Sequence, residues 1–451
     1  MTDSAMDPSE REFGPSGISL SPYRFPTGWF VVGFASDLAA GQVKRAHYFG
    51  EELVIFRTES GQINVLDAYC QHLGANMGVG GTVEGEHIVC PWHGWHWNGD
   101  GTNALIPYSK IGCKNNVRVR TYPALEWCGF ILVWHERHGR APYWQPPVLP
   151  ELETGEYYPL HPHSRMLNRV KVHPQMIIEN AADPYHVQYV HKADSPANTA
   201  SFEVTGYHLH ATVNANFGGG RAKTWLTPNG PVDAKIIYDN YSLGLGIVRF
   251  PSELVATIQV TGQTPVDEDY TDYFYTQASI REPGEAGDKP TGRAARFLQL
   301  QQEVIKQDFF TWENMKYLEK PNLAPEEARD YAALRRWAHR FYPGTEPSPI
   351  DFGYTADGAP DPAGHTRHDS DVPTAVRAER VGRARRHPHP GRATQPVVFG
   401  RRPCRMDHHV PPLGSDVHPD GGDVHRPARR IRRRQRAAPG HRRPRDFRRR
   451  G

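Results

Sequence analysis

Cys70-Gln71-His72 and, seventeen residues further on, Cys90-Pro91-Trp92-His93 decide how this chain is read. Each stretch offers one thiolate and one imidazole. Two facing loops of this kind can supply both irons of a [2Fe-2S] cluster, two Cys to one iron and two His to the other. Glycines crowd the loops, at Gly74, Gly78, Gly80, Gly81 and Gly94, and allow backbone N–H groups to approach inorganic sulfide closely. A zinc site is the competing reading, but the common Cys2His2 finger pairs Cys with Cys and His with His. Here the order is mixed. His87 and His96 fall outside the pattern and read as loop or surface histidines.

Outward from these loops, short apolar runs alternate with Gly and Asn/Asp turns: Trp29-Phe30-Val31-Val32, Leu53-Val54-Ile55-Phe56, Ile63-Asn64-Val65-Leu66, His87-Ile88-Val89-Cys90 and Phe130-Ile131-Leu132-Val133-Trp134. Strands at this spacing predict an all-β domain over residues 23–143, after a polar leader at 1–22 that reads as disordered. A Pro-rich linker, Pro142 to Pro150, leads out of it.

Residues 151–350 read as a second, α+β domain. Asp233 to Tyr238, Leu254 to Thr261 and Tyr270 to Ile280 predict strands, and Arg293 to Leu318 a long helix closed by Pro321. Upstream stands Glu179-Asn180-Ala181-Ala182-Asp183-Pro184-Tyr185-His186-Val187-Gln188-Tyr189-Val190-His191. Two histidines and one carboxylate, with coordination positions left open, form the facial triad of non-heme Fe(II) oxygenases. A spacing of five sets His186 and His191 about 140° apart on a regular helix. For both to face one metal, the helix must loosen into a π-bulge or break between them. The alternative is two solvated histidines on a helix flank, with Asp183 as N-cap. The third ligand is expected from the long helix, where Phe297, Leu300, Val304, Asp308 and Thr311 recur at three- and four-residue steps. A carboxylate on an apolar stripe is costly unless paired or bound to a metal, which singles out Asp308. Glu303, Glu313 and Glu319 fall off that stripe.

The paired motifs, continuing through Gly94-Trp95-His96-Trp97-Asn98-Gly99-Asp100-Gly101, resemble those of the Rieske oxygenase family. That resemblance implies a β-rich Rieske [2Fe-2S] domain, held through Cys70, His72, Cys90 and His93, followed by a helix-grip (START/Bet v 1-like) catalytic domain with mononuclear iron. It implies that Asp183, three residues before His186, bridges that histidine to His93 of a neighbouring subunit, with Asn180 close to the iron. A head-to-tail ring follows, for which a trimer is the natural closure. Within the family the chain is similar to the oxygenase components of the 3-ketosteroid 9α-hydroxylases and their steroid-oxidising relatives. The likeness rests on Leu105-Ile106-Pro107-Tyr108, Gln307-Asp308 with Trp312, and Leu334-Arg335-Arg336-Trp337 before Phe341-Tyr342. It implies a terminal monooxygenase that hydroxylates a small hydrophobic polycycle, a 3-ketosteroid at C9, using O2 and electrons from NADH through a separate flavin/iron-sulfur reductase. Another aromatic, sterol or terpenoid substrate, or desaturation, is the alternative on the same scaffold.

Charge divides the chain. From Thr355 to Gly451 there are 23 Arg and no Lys against 10 acidic residues, a net of +13, which leaves Met1–Tyr354 at −10. The tail has no Trp, Tyr or Asn and reads as disordered, or as a GC-rich frame translated out of register. A Rieske electron carrier with a nucleic-acid-binding tail is the non-enzyme alternative. It is disfavoured because the Arg runs lack interleaved aromatics for stacking and a carrier needs no second iron. The acidic body suits a reductase with a basic face. Five cysteines in 451 residues make no disulfide framework. No stretch approaches the roughly 18 apolar residues of a membrane span, and Met1–Gly14 lacks the pattern of a signal peptide. A cytoplasmic location is expected.

Overall fold

In the first half of the chain, β-branched and aromatic runs too short to fill a large sheet form three small ones. The computed structural model describes residues 25–160, 164–217, 232–252, 255–282 and 284–342. The expected leader at 1–22, the end of the second domain beyond 342 and the tail at 355–451 lie outside them. Eleven strands make the first domain: β1 (Gly28–Phe34), β2 (Val43–Tyr48), β3 (Glu51–Arg57), β4 (Ile63–Asp67), β5 (Thr82–Glu84), β6 (His87–Val89), β7 (His96–Trp97), β8 (Asn103–Leu105), β9 (Thr121–Tyr122), β10 (Ala124–Trp127) and β11 (Phe130–His135). They pair as β1-β11-β10, β2-β3-β4-β9 and β5-β6-β7-β8. The β10–β11 hairpin turns on Cys128-Gly129, both at positive φ, as a two-residue hairpin turn requires.

The segment read as a linker is packed rather than solvated. Trp144 is buried, takes the Trp29 indole N–H on its carbonyl at 2.9 Å, and stacks on Tyr207. After α1 (Pro150–Glu153), a seven-stranded antiparallel sheet is built from β12 (Met166–Val170), β13 (Asn198–Thr205), β14 (His208–Phe217), β15 (Val232–Tyr241), β16 (Leu245–Phe250), β17 (Thr257–Pro265) and β18 (Thr271–Ser279), in the order β12-β18-β17-β16-β15-β14-β13. Between β12 and β13 lie α2 (Pro174–Ile178), a 3-10 turn (Glu179–Ala182) and α3 (His186–Tyr189). Helix α4 (Gly292–Trp312) and then α5 (Pro325–His339) complete the described chain.

The central strands are buried on both faces. Outward residues of β17 and β18 meet the first domain: Phe274 lies edge-on to Phe34 and Phe130. Gly262 is needed there, because a Cβ on it would come within 2.2 Å of Val31 Cγ2. The inward faces look towards α4.

Two expectations are corrected in detail. Helix α4 ends at Trp312, not Leu318, because the Asn314 side chain turns back to donate to Phe310 O at 2.8 Å. Its buried residues are Ala294, Leu298, Gln301, Asp308 and Trp312, so the stripe runs one position off the expected one and Thr311 is exposed. Asp308 belongs to both stripes.

Candidate functional site

Strand β4 leads into the first Cys/His loop, and the β6–β7 hairpin carries the second. The two are built alike. Cys70 N–H donates to Ala75 O at 2.9 Å, and Gly74 N–H donates to Cys70 O at 2.9 Å. Likewise Cys90 N–H donates to Trp95 O at 2.9 Å, and Gly94 N–H donates to Cys90 O at 3.1 Å. Gly74 and Gly94, each four residues beyond its Cys, have φ of +76° and +65°, a backbone that a side chain resists.

The hooks bring Cys70, His72, Cys90 and His93 together. Both thiols are buried and unbridged, and the two imidazole centroids lie 4.6 Å apart. Nδ1 of His72 and Nδ1 of His93 are buried with no hydrogen-bond partner. Buried nitrogens are rarely left so unless another group binds them. Two thiols and two orphaned imidazole nitrogens fit the donor set of a [2Fe-2S] cluster with mixed ligation. Burial pushes the Cys70 thiol up to about 11, so a bound metal is what draws it to thiolate.

Two neighbours carry roles that the motif alone did not expose. Trp97 Nε1–H donates to Cys70 Sγ at 3.3 Å. Trp95 stacks on His72, with centroids 4.6 Å apart and planes 6° apart, and its indole N–H donates to Tyr108 OH. The surface reading of His96 is corrected: it is buried on β7, and burial lowers its pKa.

The second constellation assembles around α3. Asp183 Oδ1 accepts from the N–H of Tyr185 at 3.0 Å and of His186 at 3.1 Å, capping the helix. The helix then lasts one turn, with Val190 N–H on His186 O at 2.7 Å and Lys192 at φ +64°. His191 therefore stands beyond the helix end. The backbone breaks between the histidines rather than bulging, and their centroids come to 5.3 Å.

Asp308 approaches from α4. One ligand atom from each of His186, His191 and Asp308 lies within 4.8 Å of the others, and His191 Nε2 is 3.4 Å from Asp308 Oδ1. Nδ1 of His186 rests on Asp183 O, and Nδ1 of His191 lies 3.1 Å from Gln307 Oε1. In both rings Nε2 is the nitrogen left for the centre. Burial lowers the pKa of His186. It opposes protonation of His191 too, but there the Asp308 carboxylate and Gln307 outweigh it and the pKa rises. Two imidazoles and a buried carboxylate with one side open fit a divalent iron.

That open side is a cavity, lined in part by His186, His191 and Asp308 themselves. Ile177, Phe217, Ile236, Val248, Phe250 and Ile305 give it an apolar wall beside the triad. Asn180 lines it as well, its Oδ1 accepting from Trp312 Nε1–H at 3.4 Å.

A further grouping, His208, His210 and Asp239, has the composition of a metal site. Asp239 Oδ1 already takes both imidazoles, at 2.8 and 2.9 Å, and Oδ2 takes Arg249 Nη1–H at 2.6 Å. A guanidinium at that distance opposes a divalent cation, and the cluster ties β14, β15 and β16 together.

Comparison with known proteins agrees with this geometry. Residues 28–123 match the Rieske [2Fe-2S] domain family, and residues 133–342 match the 3-ketosteroid 9alpha-hydroxylase C-terminal domain. The chain is 29% identical over 367 residues to the cholesterol 7-desaturase nvd of Hemicentrotus pulcherrimus, covering 74% of each. It is 28% identical over 333 residues to a 3-ketosteroid-9-alpha-monooxygenase oxygenase component of Rhodococcus rhodochrous, covering 73% of this chain and 84% of that one. The crystal structure of dicamba monooxygenase bound to dicamba shares the fold, with a TM-score of 0.56 at 18% identity over 70% of this chain and 98% of that one.

Proposed function

Because the chain belongs to the Rieske oxygenases, a family of iron-dependent oxidoreductases supplied with electrons from NADH by a separate reductase, we propose that it oxidises a steroid nucleus, hydroxylating a 3-ketosteroid at C9. The observation that carries this reading is the mainly apolar cavity lying directly against His186, His191 and Asp308. A second reading, desaturation of a sterol, is favoured by the cholesterol 7-desaturase relatives, which match the chain over a similar length.

In this proposal Cys70, His72, Cys90 and His93 hold the [2Fe-2S] cluster, and His186, His191 and Asp308 hold the iron. Iron at that position supplies O2 activation, with one oxygen atom going to substrate carbon and the other leaving as water. Gln307 and the Asp183 carbonyl hold the two imidazoles with Nε2 inward. The apolar wall excludes bulk water and fixes the polycycle by shape. Asn180 holds Trp312 at the cavity edge.

Asp183 is the proposed link between centres of different subunits, reaching His93 of the partner subunit. Support comes from where apolar side chains are exposed. Leu73, Trp92, Tyr108 and Ile111 surround the Cys/His loops, and Tyr189 and Phe310 stand beside the triad. Two distinct patches favour a heterologous contact, which a homotrimer closes. No described helix is long and apolar enough to cross a membrane. Thiolate ligands suit a reducing cytoplasm.

The test is incubation with a 3-ketosteroid and, separately, a 3-hydroxysterol, using NADH, a competent reductase and O2, followed by mass spectrometry. A hydroxylated ketosteroid supports the first reading and a dehydrogenated sterol the second. Turnover of neither, by protein with both iron centres intact, removes the steroid assignment.

A further inference from the structure

Strand β17 reverses the usual placing of polar residues. Ile258, Val260 and Gly262 point outward to the first domain, while Thr257, Gln259, Thr261 and Gln263 point inward. The inward face is thus strongly polar although all of β17 is buried.

That polarity is paired only in part, because Gln263 Oε1 and Gln301 Oε1 are buried with no hydrogen-bond partner among the described residues. Gln263 Nε2–H donates to Thr261 Oγ1 at 2.7 Å, and Thr261 in turn donates to Gly246 O at 3.2 Å. Gln301 donates to Thr257 Oγ1 at 2.9 Å, and Gln277 donates to Leu298 O at 2.6 Å.

Two cavity-lining amides differ. Asn240 on β15 and Gln259 on β17 are 7% and 6% exposed, and among the described residues neither side chain has a hydrogen-bond partner. Amides in largely buried residues are normally paired, and these two line the cavity, where a ligand can reach them. The register sets them on adjacent rows of one sheet face: Tyr238, Val248 and Gln259 across one row, and Asn240, Gly246 and Thr261 across the next. Gly246 keeps the floor between them clear. A Cβ there would lie 2.6 Å from Thr261 Oγ1 and 3.0 Å from Asn240 Oδ1.

We propose that Asn240 and Gln259 determine specificity by hydrogen-bonding the oxygen functions of the substrate. This inference rests on the steroid reading and adds what the apolar wall cannot supply. Shape and apolar contact accept any flat polycycle of suitable size. The two amides select one whose skeleton carries oxygen and fix how it lies beneath the triad. An amide both donates and accepts, so a ketone and a hydroxyl are each accommodated, and the pair sets placement rather than oxidation level. A site built to hydrogen-bond its ligand discriminates against the analogue that lacks the bonding group.

The test is equilibrium dialysis of the holoprotein, with its cluster and iron, against a steroid dione and the parent hydrocarbon lacking both oxygens. Gln259→Leu and Asn240→Leu should each raise the Kd for the dione about five- to tenfold, as loss of one hydrogen bond implies, and leave the hydrocarbon's Kd unchanged. Should a Leu variant fail to fold, Gln259→Ala and Asn240→Ala give the same comparison. A merely structural role would shift both ligands together, and that result, or no shift at all, overturns the inference while sparing the steroid reading. Failure of the unaltered protein to bind either ligand overturns both.

Discussion

Gln307 Oε1 lies 3.1 Å from His191 Nδ1, and the next residue, Asp308, places Oδ1 3.4 Å from Nε2 of the same ring. Consecutive residues of one helix thus hold opposite edges of one imidazole. Since Gln307 is exposed and Asp308 buried, the first orients the ring from outside while the second shares the proposed iron with it. Replacing Gln307 by Leu should weaken iron binding about 10- to 100-fold, the usual cost of losing such a partner. Gln307→Glu, which keeps the acceptor, should restore it. Chelator competition monitored by iron release gives the answer.

Trp97 makes the corresponding contact at the cluster. An N–H aimed at a cysteine sulfur favours the reduced, more negative state. Trp97→Phe should therefore lower the reduction potential by about 40 mV, the equivalent of one hydrogen bond for a one-electron couple. Redox titration followed in the visible spectrum measures it, and an unchanged potential would show that the contact has no electronic role.

The 3-10 turn before Asp183 is pinned by a largely buried ion pair. Arg335 Nε–H and Nη2–H donate to Glu179 at 2.9 and 3.0 Å. Arg335→Met leaves that carboxylate buried and unpaired, at a cost of about 3–5 kcal/mol. Thermal unfolding should move down by several degrees. Gln175 and Tyr342 beside it cannot replace the charge.

Acid sensitivity should trace in part to His135. Burial drives its pKa from 6.5 down to about 4, against a hydrogen bond to Pro26 O that favours the proton. The unfolded chain takes up a proton below pH 6.5 that the folded chain refuses. The stability this group contributes is therefore complete above pH 6.5 and lost as the pH falls towards 4, with a slope of about 1.4 kcal/mol per pH unit. In urea titrations across that window, His135→Phe should flatten the dependence by this amount relative to the unaltered protein. Parallel curves would exclude His135 as the source.

Much of this arrangement is legible in the sequence, and the gaps have physical reasons. Ligand chemistry fixes spacing tightly, so Cys70, His72, Cys90 and His93 could be read together, and the five-residue step from His186 to His191 required a helix that bulges or breaks between them. Asp308 stood out because a carboxylate on an apolar stripe needs a partner. Strands β12 to β14 and β16 were not legible. β14 mixes His, Asn and Ala with its apolar residues, and β16 opens with Gly246 at its second position. Such strands gain their burial from neighbours far away in sequence, as does the Trp97–Cys70 contact across 27 residues. Gln259 carried a weak signal in the Thr-x-Gln-x-Thr-x-Gln alternation of β17 and Asn240 on β15 carried none, and only the register shows that these polar positions line the cavity.

The most direct test of two iron centres in one chain is the iron and acid-labile sulfide content of protein purified without oxygen, compared with Asp308→Ala. The account predicts about three irons and two sulfides per chain, with a visible spectrum of mixed Cys/His ligation, and the loss of one iron with no loss of sulfide in the variant. Two irons unchanged by the substitution, or zinc in place of iron, would contradict it.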